Sequence, residues 1–385
     1  MVKNIDIAIR GGYGLYNFGD DALIHSLFNY LTKDKGIDPK KVVLLCRNEA
    51  YLHKLLIDVN VLNYNYLPKD LKINHLIYGG GTQFYSFDPI KESKIEKFLN
   101  HPKRTLKNAF FKARNLFVSN KFLENKFEIT TNVNHHHLLG VGLGPFSAND
   151  TTIENKTKRL FKSAEFISVR DEFAEGKCKS WGIEHFIKSP DICYGLDVGV
   201  QKEHNSSVKN IAIIVRDWNH NIEGKEYYNS IMDAVKDLRT LGYNITYVSY
   251  DMYSDLTWLK YFKDQRENIL QWDPNNNTID KFIESHYKFD LVITARFHGA
   301  VFTSLIGKPF ITIGIEPKLE MISSLYSEGS HCWNMPFEKR NVLKLVKEID
   351  ENYSTYVENV HHQTLENKKN AHFQFEALYK QIANK

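Results

Sequence analysis

The chain has 385 residues, 42% of them hydrophobic and 25% charged, with a formal net charge of +4. That length exceeds one typical core and the composition is ordinary for a globular protein, which excludes general disorder and makes two domains the expectation. The mild positive balance suits an anionic small substrate or a membrane surface and excludes a dedicated nucleic-acid binder.

The chain opens MVKNIDIAIRGG, straight into a strand pattern over Ile5–Arg10, with no signal-peptide hydrophobic region. No apolar run approaches the ~20 residues needed to span a bilayer. Cys46, Cys178, Cys193 and Cys332 have neither metal nor redox-motif spacing, so four reduced thiols in a cytoplasmic protein are expected. The first strand runs into GGYGLYNFGDDAL, where glycines allow close backbone approach to a ligand and Asp20 or Asp21 can cap a helix over Asp21–Leu31. Asn17 stands where a dinucleotide fingerprint would need its third glycine.

Further strands are expected at Val42–Cys46, His75–Tyr78, Leu138–Val141, Phe166–Val169 and Phe186–Lys188, with helices over Lys91–Leu99 and Thr152–Ser163. Gly79, Gly80 and Gly81 follow one strand and Gly140, Gly142 and Gly144 another, each reading as a loop that lines a cleft. His135, His136 and His137 put two imidazoles on one face, but no carboxylate or cysteine at ligand spacing accompanies them, so no metal site is expected. Residues 101–126 interleave seven Lys and Arg with Phe and Leu against a single acidic residue, Glu124; the pattern fits a segment that touches anionic membrane headgroups.

GLDVGVQKEHNSSVK, from Gly195 to Lys209, reads as a linker. Alternation restarts with strand Ile211–Val215, helix Tyr227–Leu241 and strand Ile245–Ser249, then helical stretches Trp258–Phe262 and Thr278–His286. The expected fold is α/β: two Rossmann-like domains facing across a cleft, residues 1–195 and 208–350, followed by a helical tail, 351–385. DLVITARFHGAVFTSLIGKPFITIGIEPK, from Asp290 to Lys318, reads strand, Arg-x-His, helix, strand. It places Arg296 and His298 at a strand's carboxyl end and a helix's amino end, where open α/β sheets bind ligands and anions are favoured. Arg supplies a fork for carboxylate or phosphate, and His titrates near neutral pH. Arg170 and Arg216 also close strands, giving three strand-terminal arginines with Lys318 beside them.

Taken in order, GGYGLYNFGDDAL, YGGGTQF, GVGLGP, ISVRDEFA, KSPDICY, IAIIVRD, ITARFHGAVF and GIEPK resemble the polysaccharide pyruvyl transferase family over residues 10–318. The resemblance implies a GT-B-like fold and transfer of the pyruvyl unit of phosphoenolpyruvate onto two hydroxyls of a sugar as a cyclic ketal, with release of phosphate. It implies a setting in cell-envelope polysaccharide synthesis, no cofactor and no metal, and an acceptor that is free or lipid-linked. His298 and Arg296 are then the catalytic pair. Arg170, Arg216, Arg296 and Lys318 hold phosphoenolpyruvate, and Asn17, Asp20, Gly80 and Gly81 meet the acceptor. The competing readings are a GT-B nucleotide-sugar glycosyltransferase, with Glu316 or Glu320 holding the donor ribose, and a non-catalytic partner in envelope polysaccharide assembly.

Overall fold

The computed structural model describes residues 4–56, 58–68, 70–86, 132–199, 206–218 and 221–384. The expected helix Lys91–Leu99 and the basic segment 101–126 lie outside the described residues.

Seven parallel strands form the first sheet: β1 (Asn4–Arg10), β2 (Val42–Cys46), β3 (Asn60–Asn63), β4 (Lys72–Phe84), β5 (Asn132–Leu143), β6 (Phe166–Val169) and β7 (Ile187–Lys188), in the order β3-β2-β1-β4-β5-β6-β7. Six more form the second: β8 (Asn210–Ile214), β9 (Asn244–Ser249), β10 (Ile269–Gln271), β11 (Leu291–Thr294), β12 (Phe310–Ile313) and β13 (Ser330–Trp333), in the order β10-β9-β8-β11-β12-β13. In both, the order reverses beside the first strand, which creates a crevice at the carboxyl ends of the central strands. The central strands VVLLC, LVIT and FITI are buried throughout, as parallel strands covered on both faces must be.

The helices of the first unit are α1 (Phe18–Asn29), α2 (Glu49–Leu55), α3 (Thr152–Ser163) and α4 (Glu172–Ser180). Those of the second are α5 (Ile222–Thr240), α6 (Leu256–Asp264), α7 (Ile279–Glu284), α8 (Phe297–Leu305), α9 (Pro317–Leu325) and α10 (Lys339–Glu351), followed by the long α11 (Tyr353–Ala383). α11 returns to the first sheet. Gln374 donates to the Pro190 carbonyl at 2.9 Å, and Ser189 donates to the Asn370 carbonyl at 2.9 Å. Among the described residues no helix is long and apolar enough to cross a membrane.

Several expected loops are something else. β4 and β5 continue through their glycines to Phe84 and Leu143, and His135–His137 lie inside β5 rather than before it. Gly80 and Gly140 have φ of 69° and 58°, and a Cβ at either would stand 2.7 Å from Leu23 Cδ2 or 2.6 Å from Ile192 Cγ2. These glycines let α1 and Ile192 pack down on the sheet. Asn17, not Asp20 or Asp21, caps α1, its side chain accepting from the Gly19 amide at 3.0 Å. His135 does have a carboxylate partner, Glu165, at 2.6 Å, while His75 and His137 share a contact of 3.1 Å.

The two units meet at the start of α1. Phe18 is fully buried, with its ring 4.6–5.0 Å from the rings of Tyr250, Trp272, Phe282 and Phe302, all from the second unit. The Phe18 amide donates to the Tyr250 carbonyl at 2.9 Å, and Asn17 forms an antiparallel bridge with Asp251. Beside them Trp272 Nε1 donates to the Asp21 carboxyl at 2.9 Å and Tyr51 donates to the same oxygen; burial pushes that carboxyl up to about 8 despite both hydrogen bonds. Phe18→Ala removes a ring from a cage with no apolar group to replace it. It is expected to lower unfolding stability by about 3–5 kcal/mol, read from urea denaturation.

Candidate functional site

The strand ends of both sheets converge on the crevice between the units. His298 is the second residue of α8, which starts directly after β11. Its imidazole leaves the second unit and reaches the first. Nε2 lies 3.7 Å from Asp191 Oδ2, close enough for ion pairing but too long for a hydrogen bond, and has no hydrogen-bond partner among the described residues. On its other side the ring rests on α1, and a Cβ at Gly19 would stand 2.0 Å from His298 Nδ1. Glycine at that position is therefore a requirement of the imidazole's place.

Asp191 is fully buried and is oriented from three directions. Arg170 Nη1 donates to Oδ2 at 2.8 Å, the Cys193 amide donates to Oδ1 at 2.9 Å, and His298 faces Oδ2. Burial works against its charge, but His298 and Arg170 outweigh it and hold the carboxyl below its ordinary range. Arg170 also donates to Thr82 Oγ1 at 2.8 Å, and its guanidinium lies 4.5 Å from the centre of the Phe297 ring across the interface. Asp191, Cys193 and His298 bring one ligand atom each within 4.8 Å of one another. Because Arg170 already sits on the Asp191 oxygen and burial raises the Cys193 thiol well above its ordinary value, the set suits a guanidinium better than a divalent cation.

A second charged group comes from the ends of β8 and β12. Arg216 pairs with Glu316 and stacks over Trp218 at 4.0 Å, and Lys318 Nζ lies 3.1 Å from the same Glu316 oxygen. Burial lowers the Lys318 ammonium to about 8, and Arg216 and Arg170 push it the same way against Glu316. Arg216 and Lys318 both remain partly exposed.

Asp20, in the first turn of α1, completes the ring. Its carboxyl group lies 3.2 Å from where a Gly12 Cβ would stand, so the glycine turn after β1 makes room for it, and 3.5 Å from a Gly81 Cβ, an ordinary contact. Burial raises its pKa, while His298, Lys318 and Arg170 pull it down. It has neither a hydrogen bond nor an ion pair among the described residues.

The expected site residues thus fall into two groups. His298, Arg216, Lys318, Asp20 and Gly81 border one crevice, and Arg170 is buried behind it against Asp191. Asn17 is taken up by the α1 cap and the bridge to Asp251, and Gly80 packs against Leu23 and Ile192. Arg296 differs most from expectation. Instead of an open anion clamp it is a buried ion pair, with Nη2 2.5 Å from Asp255 Oδ1 and Nε donating to the Val215 carbonyl at 3.1 Å. Burial works against its charge, but Asp255 and Asp251 outweigh it and raise its pKa. Its geometry is that of a residue that fixes the β11–α8 corner on which His298 stands. Asp191 was not picked out from the sequence. Its signal is a lone Asp at a strand end in KSPDICY, which gains meaning only once Arg170 and His298 are seen to meet it.

Two open parallel sheets with a crevice between them and a C-terminal helix returning to the first unit define the GT-B fold. Solved structures agree. Neisseria meningitidis UDP-GlcNAc 2-epimerase bound to UDP-GlcNAc matches with a TM-score of 0.56 at 11% identity, covering 98% of this chain and 100% of that one. Anabaena HepE in complex with UDP matches at 0.56 and 10%, covering 99% and 100%. A glycosyltransferase from Rickettsia africae matches at 0.53 and 12%, covering 99% and 98%. At such identities the likeness is one of fold. No curated protein matches the chain in sequence. A family model for polysaccharide pyruvyl transferase matches residues 17–317, and the chain belongs to that family.

Arg296→Ala would leave Asp255 buried without its partner. It is expected to cost about 3–5 kcal/mol of folding stability in chemical denaturation, a loss that removal of a solvent-facing ligand clamp would not produce.

Proposed function

We propose that the protein transfers the pyruvyl group of phosphoenolpyruvate, as a ketal, onto two hydroxyls of a sugar in a cell-envelope polysaccharide or its lipid-linked precursor. The observation that carries this reading is the imidazole of His298, poised over a buried carboxylate with Nε2 lacking a hydrogen bond, in a crevice lined by Arg216 and Lys318 with Arg170 buried behind that carboxylate.

Ketal formation requires a proton at the methylene carbon of the enol phosphate, which leaves a cation at the phosphate-bearing carbon for a hydroxyl to attack. His298 delivers that proton, and the Asp191 carboxylate stabilises the charged imidazole from which it leaves. The donor carries a carboxylate and a phosphate. Arg216 and Lys318, each partly exposed and sharing a single carboxylate, turn their remaining donors to it, and the first-turn amides of α8 add favourable dipoles. Arg170 acts from behind, holding Asp191 in place. Gly81 and Asp20 lie on the opposite wall, where the sugar enters.

A nucleotide-sugar glycosyltransferase would need a free carboxylate for the donor ribose. Glu316 is already held by Arg216 and Lys318, which weighs against Glu316 in that role and leaves only Glu320 of the two expected carboxylates. A non-catalytic partner would have no use for an imidazole kept unpartnered beside a buried carboxylate.

Incubation with phosphoenolpyruvate and glycosides bearing free diols is expected to give the mass gain of one pyruvyl ketal together with inorganic phosphate; release of a nucleoside diphosphate from a nucleotide sugar instead would reject the proposal. His298→Ala should lower kcat by about 10²–10⁴ while phosphoenolpyruvate still binds, measured by calorimetry. Lys318 adds a pH signature. Protonated below about 8, it attracts the donor, and above that it loses its charge. The affinity for phosphoenolpyruvate should therefore fall as the pH rises through about 8, and Lys318→Met should weaken binding at neutral pH and flatten this limb.

A further inference from the structure

We propose that Asp20 is the general base of the transfer, taking the proton from the first attacking acceptor hydroxyl and passing it to the departing phosphate. The inference rests on the pyruvyl-transfer reading above and deepens it.

Three observations carry it. Asp20 is the one carboxylate bordering the crevice, among those described above, without a hydrogen bond or an ion pair: Asp191 is held by Arg170, Glu316 by Arg216 and Lys318, and Asp255 by Arg296. Its carboxyl packs against the glycine turn after β1, where a Cβ at Gly12 would stand only 3.2 Å from it, and it reaches Gly81 at ordinary contact, 3.5 Å from a Cβ there. It also faces the cationic side of the crevice. His298, Lys318 and Arg170 act on it from three different elements, and Asp251, Asp21, Tyr13, Tyr85 and Cys193 are other titratable groups around it. A carboxylate near those cations but paired with none of them is poised to accept a proton from a group lying between.

The proton balance closes with two groups. His298 gives its proton to the methylene carbon, and the double-bond electrons form the new C–H bond. The first hydroxyl oxygen bonds to the phosphate-bearing carbon as its proton passes to Asp20. The C–O bond to phosphate then breaks with its electron pair on phosphate, which takes the proton from Asp20. The second hydroxyl closes the ketal and returns its proton to His298. Both side chains end as they began, and no metal or other co-reactant enters the balance.

The test compares the wild type with Asp20→Asn, which keeps the shape and removes the base, using phosphoenolpyruvate and a panel of nitrophenyl glycosides with free diols. The expected result is a loss of about 10²–10⁴ in kcat for ketal formation, with unchanged affinity for phosphoenolpyruvate by calorimetry. The acidic limb of the wild-type pH–rate profile should disappear. In deuterated water, His298-dependent incorporation of deuterium into the methylene of phosphoenolpyruvate should persist in Asp20→Asn, because the donor half of the reaction is intact. A variant that forms ketal within tenfold of the wild-type rate overturns the role of Asp20 and leaves the pyruvyl-transfer reading standing. Loss of both ketal formation and deuterium incorporation in the variant, with donor affinity lost as well, also overturns it, since that pattern marks a structural residue. A wild type that gives neither ketal nor deuterium incorporation overturns the pyruvyl-transfer reading itself.

Discussion

The structure depends on the burial of one ring, Phe18, in an aromatic cage supplied by the other unit. Four consecutive residues at the start of α1 then acquire fixed tasks. Asn17 pairs its backbone with Asp251, Phe18 fills the cage, Gly19 lies under the His298 imidazole and Asp20 opens onto the crevice. A helix turns about 100° per residue, so fixing the direction of one side chain fixes its neighbours. Sliding one unit over the other would expose the ring and strip the Asp21 carboxyl of its Trp272 partner, and both losses favour a single relative placement.

Charge is arranged around that fixed junction by local neutralisation. Arg296 meets Asp255, Arg170 meets Asp191, and Arg216 shares Glu316 with Lys318. An ion taken out of water costs several kcal/mol unless it is paired and hydrogen-bonded, so the buried members of these groups are structural and hold their neighbours in register. What remains available for chemistry is what pairing leaves over: the His298 Nε2, the outer donors of Arg216 and Lys318, and the Asp20 carboxyl. The His298 imidazole comes from the second unit and the Asp20 carboxyl from the first, so these two groups reach the junction from different units.

Much of this was legible in the chain. The buried strands VVLLC, FISV and FITI and the helix Thr152–Ser163 announce themselves by apolar runs and by helical spacing, because those patterns follow from backbone geometry alone. The strands that escaped notice are short or polar edge strands: NVLN, ILQ and SHCW. Their pairing is decided by the neighbour strand rather than by their own composition. The glycine runs were visible, but their purpose was not, since a glycine that admits a ligand and one that admits Leu23 or Ile192 look the same in one dimension.

The sequence by itself determined the two α/β series and placed Arg170, Arg216, Arg296, His298 and Lys318 at strand ends, because strand and helix patterning is local and strand ends follow from it. Only the tertiary structure decided which of those residues face an open crevice. Arg296 and Arg170 turned inward because Asp255 and Asp191, distant in sequence, were brought within ion-pair reach, and a buried cation takes the nearest carboxylate. Asp20 stayed free because no cation came that close. Pairing of this kind depends on distances between strands and between units, which no spacing along the chain encodes.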